Sequence, residues 1–288
     1  MPNYAAIAYK IFGSLSKSLK NYLSDLQDDL QKAGIKYTLE EYISIALFAV
    51  SVTFLVEAAL SAFIFGLLGF PVVTSIILGL TLSFTLSGIL FFLFYSYPVT
   101  ASKNRSSKIN KALPFAVSYL ATMSSSRLPP IDSFRTLAGF EEYGEVSREA
   151  REIVQNVEVF GMTFSNAMRR QARRTPSSEL RELFWGIDNV TSSGGNLAEY
   201  LEKKSEELMG EYRRKIRKYS QDLSLFMEIY LTLIITGSIF FIILSSIVAA
   251  LSGGLGTIAI QTFIVFILIP LISVGFILLI KSISPIEE

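Results

Sequence analysis

Apolar residues in this chain are gathered into long blocks, and that segregation constrains the fold more than any other feature. The blocks run from about Tyr42 to Leu68, Val72 to Tyr97, Leu225 to Leu251 and Ile258 to Ile280. Each exceeds the roughly 20 residues that a helix needs to cross ~30 Å of hydrocarbon at about 1.5 Å per residue. Charged residues are 18% of the chain, and nearly all lie outside the blocks; Glu57, and Glu228 near one end, are the exceptions. A soluble core of similar size would interleave its apolar residues with charge. The blocks predict helices rather than irregular chain, because lipid offers no partner to backbone polar groups.

Short links join the blocks in pairs: Gly69-Phe70-Pro71 in the first, and Ser252-Gly253-Gly254-Leu255-Gly256-Thr257 in the second. Neither link carries Lys or Arg, and all 26 basic residues fall in the N-terminal segment, the central region or the C-terminal tail. The positive-inside rule assigns those three parts to the cytoplasm and both links to the outside. The expected fold is an all-α membrane protein, with four transmembrane helices as two hairpins flanking a cytoplasmic helical bundle. Residues 1–41 form a cytoplasmic N-terminal helical segment, 42–97 the first hairpin, 98–224 the bundle, 225–280 the second hairpin and 281–288 a cytoplasmic tail. No secretory signal is expected, since Lys10, Lys17, Lys20, Lys32 and Lys36 precede the first block without a compact apolar region.

In the N-terminal segment Ile7, Ile11, Leu15, Leu19, Leu23, Leu26 and Leu30 recur at spacings of three or four. That is one apolar helical stripe. It is expected to pack on the central domain, with a membrane-surface or partner-binding helix as the other reading.

The central region reads as helices separated by caps and breakers. Pro98 is expected to end the second span. A helix through Leu113, Val117, Leu120 and Ala121 stops at Arg127-Leu128-Pro129-Pro130, and the next runs from Asp132 to Gly139 with Pro130 in its first turn. A helix over about Glu145–Phe160 breaks at Gly161, and Thr163 caps its successor. Thr175-Pro176 reads as an N-cap followed by proline at the first helical position. Gly194 and Gly195 suit a left-handed C-cap, and Asn196 to Glu199 resembles a capping box. From Asn196 no breaker except Gly210 precedes the third span, so a helix of about 55 residues, roughly 80 Å long, is expected to run into the membrane.

The chain contains no cysteine and no histidine. Disulfides, thiolate metal sites, the commonest general base and the usual nucleophile–base pairs are therefore excluded. A P-loop of the G-x-x-x-x-G-K-[ST] type is absent. No enzyme activity, cofactor or metal site is expected.

Three stretches carry a resemblance to the type II secretion system F domain. They are Ala112-Leu113-Pro114-Phe115-Ala116 through Ser125-Ser126-Arg127-Leu128-Pro129, Phe160-Gly161-Met162-Thr163-Phe164-Ser165-Asn166-Ala167-Met168, and Gly194-Gly195-Asn196-Leu197-Ala198-Glu199-Tyr200-Leu201. In that family a Leu-Pro helix start, a mid-domain glycine before an apolar helix and a small-residue turn recur. The order of two spans, domain and two spans resembles the platform proteins of archaeal type IV pili and archaella and of bacterial tight-adherence pili. Ile7-Ala8-Tyr9-Lys10-Ile11-Phe12-Gly13 and Leu39-Glu40-Glu41-Tyr42 lean towards the archaeal members. The resemblance implies a non-enzymatic platform in the cytoplasmic membrane. Its partners would be a hexameric secretion ATPase, pilin subunits and membrane lipids. Many members carry two copies of the domain, so a second copy is expected from a homodimer or a paired second platform protein.

Arg169, Arg170, Arg173 and Arg174 place like charges one turn apart. They form either a docking surface for the ATPase or a cluster neutralised by Glu179 or Glu182. Arg213, Arg214, Lys215, Arg217 and Lys218 precede the third span, and Lys103, Arg105, Lys108 and Lys111 follow the second. Both sets read as topology and anionic-lipid contacts, with ATPase docking as the alternative. Nucleic-acid binding is not expected, since no aromatic platform accompanies the charges. Thr53, Glu57 and Ser61 make a polar stripe inside the first span. They read as a contact to a pilin helix or another protomer, or as hydrogen bonds to a span of the same chain. A pseudopilus-driven export platform, and a four-helix sensor or transporter, are the alternative functions.

Overall fold

The computed structural model describes residues 3–126, 128–252 and 269–283, together with Gly256, Ala259, Thr262, Phe263, Phe266 and Ile267. Every regular element among these residues is a helix. The chain divides into two compact units, Met1–Glu202 and Lys203–Glu288.

The first unit opens with α1 (Asn3–Leu19) and α2 (Asp25–Ala33). The first apolar block becomes α3 (Leu39–Leu67). Its start is fixed by a capping box in which the Thr38 hydroxyl accepts from Glu41 N–H while the Glu41 carboxylate accepts from Thr38 N–H. Gly69, with φ at 87°, makes the tight turn to α4 (Val72–Ser124). The α3–α4 hairpin leaves large apolar side chains open on its outer faces, Leu67 at 73% and Phe84 at 75% exposure among them. In water such a surface would aggregate, whereas a bilayer buries it.

The expected stop at Pro98 does not occur, because α4 runs through both Pro98 and Pro114. Pro98 has no N–H, so the Phe94 carbonyl one turn earlier loses its helical partner. Tyr42 of α3 replaces it: the phenol donates to the Phe94 carbonyl at 2.8 Å, and the two rings meet edge to face at 6.3 Å. The expected helix start at Leu113-Pro114 is likewise overturned. Both residues are buried within α4, on the same face as Ile109, Ala116, Val117 and Leu120.

On that face of α4 pack α5 (Pro130–Gly139), α6 (Glu145–Glu158) and α8 (Ser178–Ser192), while α7 (Phe164–Arg174) packs on α6 and α8. Phe134, Leu137, Ile153, Met168, Leu183, Phe184 and Ile187 fill the core. Pro130 occupies the first turn of α5 as expected, although Arg127 before it lies outside the described residues. Thr163 caps α7 through Asn166 N–H. The cap of α8 is Ser177, whose hydroxyl accepts from Leu180 N–H at 3.0 Å, and not Thr175, which ends α7 and is buried. The sequence could not separate two hydroxyl residues two positions apart, both of which suit a cap.

In the second unit the chain continues helically from α9 (Leu197–Tyr230), which starts in the first unit, through a π-helical stretch (Leu231–Thr236) into α10 (Gly237–Ser252). Asn196 caps its start by accepting from Glu199 N–H. The long helix expected from Asn196 is present. Its irregularity is the π stretch, where hydrogen bonds span five residues instead of four; Gly210 lies inside regular α9. α11 (Ile269–Ile283) returns beside it, with Phe276 edge to face with Phe226 and tilted against Tyr230. Among the described residues three helical stretches, Leu39–Leu67, Val72–Ser124 and Leu197–Val248, are long and apolar enough to span a bilayer. Most of the second link, much of the fourth block and the residues after Ile283 lie outside the described residues.

Candidate functional site

α7 is built to present its arginines. Ala167, Met168, Gln171 and Ala172 are buried, which forces Arg169, Arg170 and Arg173 to the exposed side and leaves Arg174 half-buried. Arg169 does not pair with Glu179. Its Nε donates to Asp188 of α8 at 2.7 Å, while Glu179 accepts from Asn110 and Ser178. Arg170 lies 3.7 Å from the Met162 sulfur. That contact brings the turn after α6 against the arginine face. In this turn Val159 and Phe160 are 73% and 70% exposed. Two open apolar side chains bordered by arginine have the composition of an interaction hot spot. Sequence reading missed them because an apolar pair at the end of an amphipathic helix reads as core.

Asp188 holds this corner together. It is fully buried and accepts from Ser165 as well as from Arg169. Burial pushes its carboxyl up, but the hydrogen bonds from Ser165 and Arg169 outweigh it and hold the group below the ordinary aspartate range. A depressed folded-state pKa contributes stability that is complete above the unfolded value, about 3.9, and is lost as pH falls through the folded value. The expected result is that Asp188→Asn costs about 1–3 kcal/mol at neutral pH and removes this acid-dependent loss. Unfolding followed through Trp185, the sole tryptophan, at stepped pH checks it; parallel pH curves for the two proteins would refute it.

A second polar centre was not foreseen. Arg105, grouped in the sequence with the basic residues facing lipid, is buried. Its guanidinium donates to Glu145 and Glu149 of α6, both at 2.7 Å, and to the Lys32 carbonyl at the end of α2 at 3.0 Å. Burial pushes the Glu149 carboxyl up, with Arg105 opposing. Gln171 of α7 donates to Glu149 from the other side at 2.5 Å. One arginine on α4 therefore joins α2, α6 and, through Glu149, α7. Lys103 and Lys108 remain exposed, as expected of residues facing water or headgroups.

The intramembrane trio divides. The Ser61 hydroxyl donates to the Glu57 carbonyl at 2.5 Å and lies 3.3 Å from the Gly79 carbonyl of α4, so it serves the hairpin itself. Thr53 and Glu57 are half-buried. One Glu57 carboxylate oxygen is buried without a hydrogen-bond partner among the described residues. Facing Ser61, α4 presents Ser75, Gly79, Ser83 and Ser87, all small and four apart. This spacing lets two membrane helices approach closely.

The five basic residues Arg213, Arg214, Lys215, Arg217 and Lys218 are all exposed on α9. Arg214 lies 3.8 Å from Glu211.

Residues 116–245 match the family model described as type II secretion system (T2SS), protein F. Flagella accessory protein J of Methanocaldococcus jannaschii is 28% identical over 192 residues, which cover 66% of this chain and 34% of that protein. Flagella accessory protein J of Methanococcus voltae is 26% identical over 145 residues, 50% of this chain and 26% of that protein. An uncharacterised M. jannaschii protein is 26% identical over 134 residues, 46% of this chain and 22% of its own length. The chain thus matches only about a third or less of each of these relatives. No solved structure matches it. The matched region begins inside α4, takes in the arginine face of α7 and the Asp188 corner, and continues into α10, so this part of the chain is similar to protein F of the type II secretion system.

Proposed function

We propose that this chain is a non-enzymatic platform of a type IV pilus-like assembly machine in the cytoplasmic membrane, of the archaellum or archaeal pilus kind. In this reading it couples a hexameric secretion ATPase to the insertion of pilins. The observation that carries it is the exposed arginine face of α7, bordered by Val159 and Phe160, within the region similar to protein F on a chain with membrane-spanning helices. The four apolar blocks span as two hairpins, with both termini and the central bundle in the cytoplasm. The acidic ATPase surface docks on Arg170, Arg173 and the Phe160 turn. The helix that begins at Leu197 carries the movement towards the bilayer, past the basic run of Arg213 to Lys218. Glu57, half-buried in the first span, offers its carboxyl to a pilin helix. A second copy of the domain comes from a homodimer or a paired platform protein. A platform that drives a pseudopilus for export is distinguished by the absence of long filaments that vanish on deletion.

Reversing Arg170 and Arg173 to glutamate spares the Arg169–Asp188 pair. It is expected to weaken ATPase capture by the full chain at least about tenfold, equivalent to ~1.4 kcal/mol, and to stop filament growth while leaving the Trp185 unfolding midpoint unchanged. ATPase capture unaffected both by this change and by reversal of Arg213, Arg214 and Arg217 would sink the docking assignment.

A further inference from the structure

α1 has three distinct faces. Ala5, Ala8, Gly13 and Ser16 are buried, and their small side chains let α1 lie close against α3. Tyr9 and Lys20, at one edge of that face, donate to Glu40 near the start of α3 at 3.3 and 2.8 Å. The stripe expected to cover the central domain divides, its α2 half packing on α4. Leu19, Leu23, Leu26 and Leu30 turn inward against Leu39, Tyr42 and Ile43, but Ile7, Ile11 and Leu15 are 50%, 57% and 54% exposed. Lys10 and Lys17, two turns apart, form a third face. They are exposed, and α1 contains no acidic residue.

We propose that α1 lies in the membrane interface, with Ile7, Ile11 and Leu15 among acyl chains and Lys10 and Lys17 on the phosphates of anionic lipid headgroups. An apolar stripe beside exposed lysines is the pattern of helices that rest on anionic bilayers; Glu40 of α3 is an acidic group near Lys17. Here the helix is anchored on α3, next to the point where the apolar block begins, so the stripe is already held beside the lipid and needs no separate insertion step. The proposal rests on the reading that α3 and α4 span the bilayer.

Because the chain has no cysteine, single substitutions give unambiguous labelling sites in the full-length protein. Ile7→Cys, Ile11→Cys, Leu15→Cys, Lys10→Cys and Lys17→Cys carry a nitroxide and are reconstituted in vesicles of phosphatidylcholine with phosphatidylglycerol. Leu55→Cys and Phe84→Cys, on exposed faces of the spans, serve as references. Relaxation by oxygen should exceed relaxation by a water-soluble nickel chelate several-fold at positions 7, 11 and 15, and the order should reverse at 10 and 17. In vesicles of phosphatidylcholine alone the oxygen preference at the stripe should fall. Water-like readings at the stripe with lipid-like references would overturn the proposal and leave the spanning helices intact. Water-like references would overturn both. A stripe shielded from both reagents would show that protein covers it, and equal stripe readings in the two vesicle types would remove the lysine–phosphate contact.

Discussion

Arg105→Met is expected to destabilise the unit containing α4–α8 by about 3–5 kcal/mol, the usual cost of breaking a buried ion pair by removing one partner. Glu149 is fully buried. Without the guanidinium it must either keep an uncompensated charge or take up a proton, and the Gln171 amide alone cannot replace the charge-assisted hydrogen bond from Arg105. The Lys32 carbonyl would lose its donor at the same time, so α2 should loosen and trypsin should cut faster at Lys32 and Lys36. Arg105→Lys should recover only part of the loss. An ammonium group carries no planar fork that can serve two carboxylates and a carbonyl at once. The decisive variant combines Arg105→Met with Glu149→Leu. Removing both charges should restore more stability than either single change leaves, because the penalty lies in the orphaned carboxylate. Denaturant unfolding read through Trp185 measures all four proteins, and an Arg105→Met cost below about 1 kcal/mol, the range of exposed pairs, would refute the account.

Gly79→Leu should force the first hairpin apart. A Cβ placed at Gly79 would sit 2.9 Å from the Ala62 backbone nitrogen and 3.1 Å from the Ser61 hydroxyl. The serine can rotate, but the backbone atom moves only if all of α3 shifts. Alanine at this position should cost about 1–3 kcal/mol, as overpacking does, and leucine more. Ser83→Ala, which alters the same stripe without adding bulk, should cost far less. Titration of the reconstituted protein with sodium dodecyl sulfate, followed by far-UV circular dichroism, ranks the three. Equal midpoints for Gly79→Leu and the unaltered chain would show that the hairpin does not depend on this approach.

These two sites differ in what the sequence alone holds. The Ser75-Gly79-Ser83-Ser87 spacing was not singled out from the sequence, although it is local and a period of four is all that close helix approach requires. The role of Arg105 was not readable, because the carboxylates that bury it lie 40 and 44 residues away on α6. A lone arginine just past an apolar block has the local appearance of a topological charge. Pro98 failed for the same reason. Its local rule is sound, but the Phe94 carbonyl it orphans is satisfied by Tyr42, 52 positions earlier. Arg169 to Arg174 were legible as a surface because their i,i+4 spacing and the apolar residues between them fix one helical face. The neighbour that gives this surface an apolar anchor, Phe160, is brought there by a turn whose path depends on Gly161 at φ 66°.

The sequence by itself determined what periodicity and segregation can encode. It specified helices throughout, the placement of the apolar blocks, the caps at Thr163 and Asn196, the long helix from Leu197 and the arginine face of α7. Each depends on residues within a turn or two of one another, or on the requirement that backbone in lipid satisfies itself. Tertiary structure alone decided that α4 passes through two prolines, that Arg105 leaves the water to join three helices, that Asp188 rather than Glu179 pairs with Arg169, and that the N-terminal apolar stripe splits between core and open surface. In each case the outcome depends on a partner distant in the chain that supplies or removes a hydrogen bond or a packing face. Local pattern carries no information about which distant residue will be there.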